Sequence, residues 1–191
     1  SLPSESELAV HVLKIADATG LPIMLYNYPG RTGVEMDEEF LTAVSKNPLV
    51  CAIKESSGDY TRIPYLTRNF HNIQLVVGGE EKVLEFADWG SKAWGCATGN
   101  FFPAECVKLM DTVANGNFAL GRALMAALMP TMSTLEQSGK FVQSIKEGCR
   151  LQGRPCGIVR PPMQALDSAM QQQVAATITE ARDVLHSLLK A

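Results

Sequence analysis

The sequence predicts an α/β protein organised on a parallel sheet, and three observations carry that expectation. Four short, almost wholly apolar runs recur along the first half: "PIMLYNY" (22–28), "VCAIKES" (50–56), "IQLVVGG" (73–79) and "KAWGCAT" (92–98). Strands that read apolar throughout are those covered on both faces, as parallel strands are. Segments with helical spacing lie between the runs, and such alternation gives parallel pairing with right-handed crossovers. From Pro103 onward the signals are helical only. An open four-stranded sheet and the second half of a (β/α)8 barrel both satisfy this pattern.

Taken in order, "SESELAVHVLKIADATG" opens with a capping box, Ser4 followed three residues later by Glu7. Leu8, Val12 and Ile15 then recur at helical spacing and Gly20 ends the helix. The first strand follows, and a helix carrying Phe40, Leu41 and Val44 leads to the second. Val83, Leu84, Phe86 and Ala87 mark a helix between the third and fourth. Pro103 suits the first turn of a helix that Asn115-Gly116 ends. The apolar stretch from Phe118 to Leu135 contains Pro130, which is expected to kink or break it. Phe141, Ile145 and Cys149 form one stripe of the next helix, and the last runs from about Ser168 to Leu189. The expected division is β/α units over 1–115 and a helical extension over 116–191.

The bulk properties exclude several classes. A chain of 191 residues with 46% hydrophobic and 19% charged residues has the composition of a globular protein with a real core. A net charge of −3, with scattered basic residues, gives no footprint for nucleic acid or an acidic membrane. No run is read as long enough to span a bilayer, and "SLPSESELAV" has no signal-peptide pattern. Five cysteines without a C-x-x-C spacing argue against a disulfide framework or a zinc site. Cys51 and Cys96, read as strand residues, would behave as small apolar side chains, which points to a reducing compartment and a cytoplasmic location. His11, His71 and His186 are far apart, so no metal is expected. Neither G-x-x-x-x-G-K-[ST] nor G-x-G-x-x-G occurs, so nucleotide cofactors have no support.

The chemistry-bearing residues stand at strand ends, where α/β proteins gather their reacting groups. Tyr26 closes the first run and Lys54 the second. On adjacent strands about 5 Å apart, a phenol and an amine pointing inward would share one pocket. An amine that attacks a carbonyl must be neutral, and Val50, Ala52 and Ile53 would favour that state by desolvation. The resulting Schiff base acidifies the adjacent carbon or lets an adjacent C–C bond break, while a tyrosine within reach carries the protons. Taken singly, a lysine at a strand end is more commonly a solvated terminus, and a tyrosine there is packing. Gly78 and Gly79 end the third strand, where glycine admits a ligand or a tight turn equally well. Gly95 is small where an aliphatic side chain would wall the pocket; it either admits a longer substrate or accommodates Trp94. Glu55 and Asp59 read as cap and turn residues.

Together, "LYNYPGRTG", "AIKESSGD", "VVGGEE" and "ATGNFFP", in this order and spacing, resemble the dihydrodipicolinate synthase and N-acetylneuraminate lyase family. The resemblance runs from about residue 2 to the C-terminus. It implies strands five to eight of a (β/α)8 TIM barrel followed by the helical extension. It also implies class I, Schiff-base chemistry on pyruvate or a related 2-oxo acid. Lys54 would form the imine and Tyr26 relay protons. Arg31 would hold the second substrate's carboxylate, a task suited to a two-pronged donor. Gly78 and Gly95 would line the substrate site. No cofactor is implied beyond the covalent imine through Lys54. A cytoplasmic homo-oligomer, tetrameric when complete, is the implied assembly. The family's G-T-[TS] carboxylate-binding segment and a second tyrosine donated across a dimer interface have no counterpart here.

Two activities compete within this resemblance. Arg31 puts condensation of pyruvate with aspartate semialdehyde, the 4-hydroxy-tetrahydrodipicolinate synthase reaction, ahead. Tyr28 and Gly95 pull toward aldol cleavage or dehydration of 2-keto-3-deoxy sugar acids, or deamination of a hydroxypyrroline carboxylate. A reading of another class is a catalytically silent half-barrel scaffold, whose open strand edges would demand a partner.

Overall fold

The structure, a computed structural model, describes residues 2–190. By compactness the chain divides after Gly95, into Ser1–Gly95 and Cys96–Ala191.

In the first unit, α1 (Glu5–Thr19) begins with the expected capping box: the Glu7 N–H donates to Ser4 Oγ and the Ser4 N–H to Glu7 Oε2 (2.8 Å). It ends at Gly20, whose φ of 63° is left-handed and therefore cheap for glycine. Its buried face is Ala9, Val12 and Ala16, whereas Ile15 of the expected stripe is 41% exposed. This face packs on α3 (Glu38–Val44), which buries Phe40, Leu41 and Val44. Alanines let two helices approach closely, so small residues take the contact in place of the larger aliphatics beside them.

The sheet holds β1 (Ile23–Asn27), β2 (Val50–Glu55), β3 (Gln74–Val77) and β4 (Ala93–Trp94), all parallel and in the order β1-β2-β3-β4. Every expected strand is present in the expected order, each shorter than its apolar run. The β1–β2 register steps from Ile23↔Val50 to Met24↔Ala52, leaving Cys51 as the extra residue of an irregularity. Its thiol is exposed and contacts the Ile23 carbonyl at 3.6 Å. This corrects the expectation of a buried apolar cysteine; Cys96 likewise lies beyond β4. Two helices are present that the sequence pattern does not predict. The first is α4 (Arg62–Asn69), whose Pro64 sits in the first turn, where an N–H has no intrahelical acceptor to lose. A second short helix, α2 (Pro29–Thr32), follows β1, and α5 (Val83–Asp88) packs on β3 as α4 does.

The second unit is helical: α6 (Pro103–Ala114), α7 (Phe118–Gln137), α8 (Phe141–Leu151) and α9 (Ser168–Leu188). Pro130 does not break α7, which runs unbroken through it. Pro130 and Ala126, whose carbonyl loses its partner, are both exposed, so water can take that acceptor. At 20 residues α7 is long and apolar enough to cross a membrane by length and composition, contrary to the expectation that no run reached that length. Leu124, Leu128, Met132 and Leu135 are fully buried, and α7 packs against α6, α8 and α9. In α8 the expected stripe is also displaced: Gln143, Ser144, Gly148 and Cys149 are buried, while Phe141 and Ile145 are only half-buried. A Cβ at Gly148 would lie 2.6 Å from the Phe101 ring, so the glycine turns toward Phe101 and carries its neighbours inward.

Candidate active site

Tyr26 and Lys54 are register partners on β1 and β2. Side chains alternate along a strand, so Met24 and Tyr26 share one face with Ala52 and Lys54, and Leu25 and Ile53 take the helix-covered face. Burial agrees: Met24 is 56% and Tyr26 46% exposed, while Leu25 and Ile53 are buried. Ile53 therefore does not wall Lys54, as the sequence reading had it. What lies against the lysine is aromatic and glycyl. Its Nζ sits over the Tyr26 ring, 4.4 Å from the centroid. A Cβ at Gly95 would come within 2.8 Å of Cε and 3.1 Å of Nζ. Gly95 thus accommodates the lysine itself, and Trp94 does not account for its small size.

From Tyr26 the aromatic contact continues outward. Its ring centroid is 5.8 Å from that of Tyr28, and the Arg31 guanidinium lies 5.5 Å from the Tyr28 centroid. Arg31 is placed by α2, which Pro29 opens and left-handed Gly33 closes (φ 74°). A cation this close to a ring face is attracted by its quadrupole. The four residues form one chain of contacts, Lys54–Tyr26–Tyr28–Arg31, that begins with an amine and finishes with a guanidinium.

Gly78 does something different. A Cβ there would overlap the Glu55 carbonyl and Ser56 Oγ, and Ser56 Oγ donates to the Gly78 carbonyl at 3.0 Å. The close approach that glycine permits is that of the end of β2 to the end of β3.

Beneath the pair, on the opposite face, is a polar cluster that the sequence reading passed over. Asn27 and Glu55 are also register partners, each one residue beyond Tyr26 and Lys54. Both are buried, as is Arg62 at the start of α4. Glu55 Oε2 accepts from Asn27 Nδ2 (2.9 Å) and Arg62 Nε (2.8 Å), and Oε1 accepts from the Ser57 N–H (2.7 Å). Arg62 also donates to the Met36 carbonyl (2.7 Å) and pairs with Glu35 (3.0 Å); Asn27 Oδ1 accepts from the Met36 N–H (3.0 Å). The legible signal was polarity at strand positions whose alternation points into the helix layer. Asp59, by contrast, is the turn residue expected. The Thr61 hydroxyl and N–H hold its carboxyl below the usual range.

Four parallel strands in sequential order, with a lysine and a tyrosine facing each other at the carboxyl ends of the first two, are the arrangement of part of an α/β barrel. The chain belongs to the dihydrodipicolinate synthetase family, which it matches over residues 2–181. It is 33% identical over 133 residues to the 4-hydroxy-tetrahydrodipicolinate synthase of Exiguobacterium sibiricum, covering 69% of this chain and 45% of that protein. Its fold is similar to the 4-hydroxy-tetrahydrodipicolinate synthase of Methylacidiphilum fumariolicum SolV, at 24% identity and a TM-score of 0.91, covering 99% of this chain and 63% of that one. It is similar also to YagE, a prophage protein of the dihydrodipicolinic acid synthase family from E. coli K12 in complex with pyruvate. There the identity is 24% and the TM-score 0.86, covering 94% of this chain and 62% of that one. The chain therefore spans 45% to 63% of the length of these relatives.

Proposed function

We propose that this chain is strands five to eight and the helical extension of a (β/α)8-barrel lyase that condenses pyruvate with aspartate semialdehyde through an imine on Lys54. The observation that carries this reading is the Lys54 amine over the Tyr26 ring at 4.4 Å, from facing positions of adjacent parallel strands. The neutral amine attacks the pyruvate C2 carbonyl and forms a carbinolamine, and loss of water leaves the imine. Loss of a methyl proton then gives an enamine, whose carbon attacks the aldehyde. The amine lies over the ring face, which leaves the Tyr26 hydroxyl for the proton transfers to and from substrate oxygen. Arg31, at the far end of the chain of contacts, holds the carboxylate of the second substrate. No cofactor beyond the lysine enters this scheme.

Pyruvate with borohydride, added to the full-length protein, should leave a reduced adduct on the peptide containing "AIKESSGD". Lys54→Ala should abolish it. Tyr26→Phe should slow turnover while the lysine remains trappable. Arg31→Ala should weaken use of aspartate semialdehyde, with imine formation intact, by about 1.5–3 kcal/mol of transition-state binding. An adduct on another lysine, or none, overturns the proposal. Tyr28, between Tyr26 and Arg31, is the observation that favours the sugar-acid branch; unchanged kinetics in Arg31→Ala would move the assignment there.

A further inference from the structure

We infer that Asn27, Glu55 and Arg62 are positioning residues for this chemistry: their buried network holds Tyr26 and Lys54 in their facing geometry. The inference rests on the imine reading above and names residues that reading does not use.

The geometry supplies the reason. Asn27 and Glu55 follow Tyr26 and Lys54 directly, on the opposite face of the sheet. A rotation of either strand end that moved the reactive side chain would have to move its polar neighbour as well. Those neighbours are held tightly. Glu55 accepts three hydrogen bonds of 2.7–2.9 Å on its two oxygens, and both ends of the Asn27 amide are engaged. Arg62 ties the cluster to the chain at Glu35 and Met36, beyond α2. One network therefore clamps the end of β1, the segment after α2, the end of β2 and the start of α4. From above, the Tyr26 ring and Gly95 confine the Lys54 stem.

Stability alone does not explain such a device. A buried ion pair recovers its desolvation cost only with good geometry, and apolar residues of similar volume often serve stability as well or better. What a saturated, directional network supplies is a single arrangement. Reacting groups need that, since a misplacement of about 1 Å costs on the order of 100-fold in rate.

The test is a double-mutant cycle in the full-length protein, read by the rate of borohydride trapping with pyruvate and by turnover. Glu55→Gln keeps the shape and removes the charge that Arg62 needs. It should lower the trapping rate by about 10- to 100-fold. If the network acts by placing Tyr26 against Lys54, the same substitution in a Tyr26→Phe background should cost about twofold or less further, because the geometry it protects has already lost its proton carrier. A merely structural role would multiply through, with the same fold-loss in both backgrounds and in proportion to the unfolded fraction. That result overturns the inference. Should Glu55→Gln not fold, Asn27→Ala, which leaves the ion pair in place, decides by the same cycle. The outcomes separate the two claims: an adduct away from Lys54 refutes the imine reading, whereas an adduct on Lys54 with an additive cycle refutes only the positioning role.

Discussion

Gly95 matters to Lys54 through its size. Because a Cβ there would come within 2.8 Å of Lys54 Cε, Gly95→Ala forces the lysine stem to swing away from Tyr26. The backbone at Gly95 is not left-handed, so the substitution adds no backbone strain. We expect the trapping rate in the full-length protein to fall about tenfold or more while the denaturation midpoint stays nearly unchanged. A trapping rate equal to that of the unsubstituted protein would mean the lysine reaches its working position by another route. Glu55 teaches the complementary lesson. Beside a lysine at a strand end it reads as a cap, and it does accept the Ser57 N–H, but its other oxygen closes the network with Asn27 and Arg62.

At the scale of the element, two helices give opposite tests. Pro130 lies inside α7 on its exposed side. An interior proline costs a helix about 3 kcal/mol relative to alanine. Pro130→Ala should restore the bond to the Ala126 carbonyl and stabilise the chain by about 1–3 kcal/mol, read from the urea midpoint. A loss of stability instead would show that the proline is needed in the packing of α7. In α8, the Arg150 guanidinium beside Glu147 holds that carboxyl below its usual value. A depressed carboxyl stabilises the fold above the unfolded-state pKa, and that share is lost as pH falls through the folded-state value. The Arg150 side chain is 58% exposed, so solvent screening keeps the pair's contribution small. Glu147→Gln should remove that slice of the acid-side slope below about pH 4.5 and shift the neutral-pH midpoint only slightly.

For the whole molecule, the sheet poses the main question. Among the described residues β1 and β4 each pair on one side only, and Met24 and Tyr26 are about half exposed on one face. Open edges beside an apolar face are a template for association. Prepared as a 191-residue polypeptide, the chain should self-associate, with a concentration-dependent sedimentation coefficient. A clean monomer with a cooperative melt would mean that these edges and this face are tolerated by water.

By itself the sequence determined the strand positions, their order and their parallel pairing, the capping box at Ser4 and Glu7, and the placing of Tyr26 and Lys54 at neighbouring strand ends. These follow from local signals, namely apolar runs, turn residues and alternation, that need no knowledge of what packs nearby. Only the tertiary structure decided which faces the helices bury. Ala9 and Ala16 of α1 outcompete Leu8 and Ile15 because a second helix must come close, and Gly148 turns α8 because the Phe101 ring fills the space before it. It likewise decided that Cys51 is extruded at the β1–β2 irregularity and that Asn27, Glu55 and Arg62 meet. A periodic pattern records that a residue is apolar or polar, but close approach and a closed hydrogen-bond network are properties of partners far apart in the chain, and they exist only once the fold has brought them together.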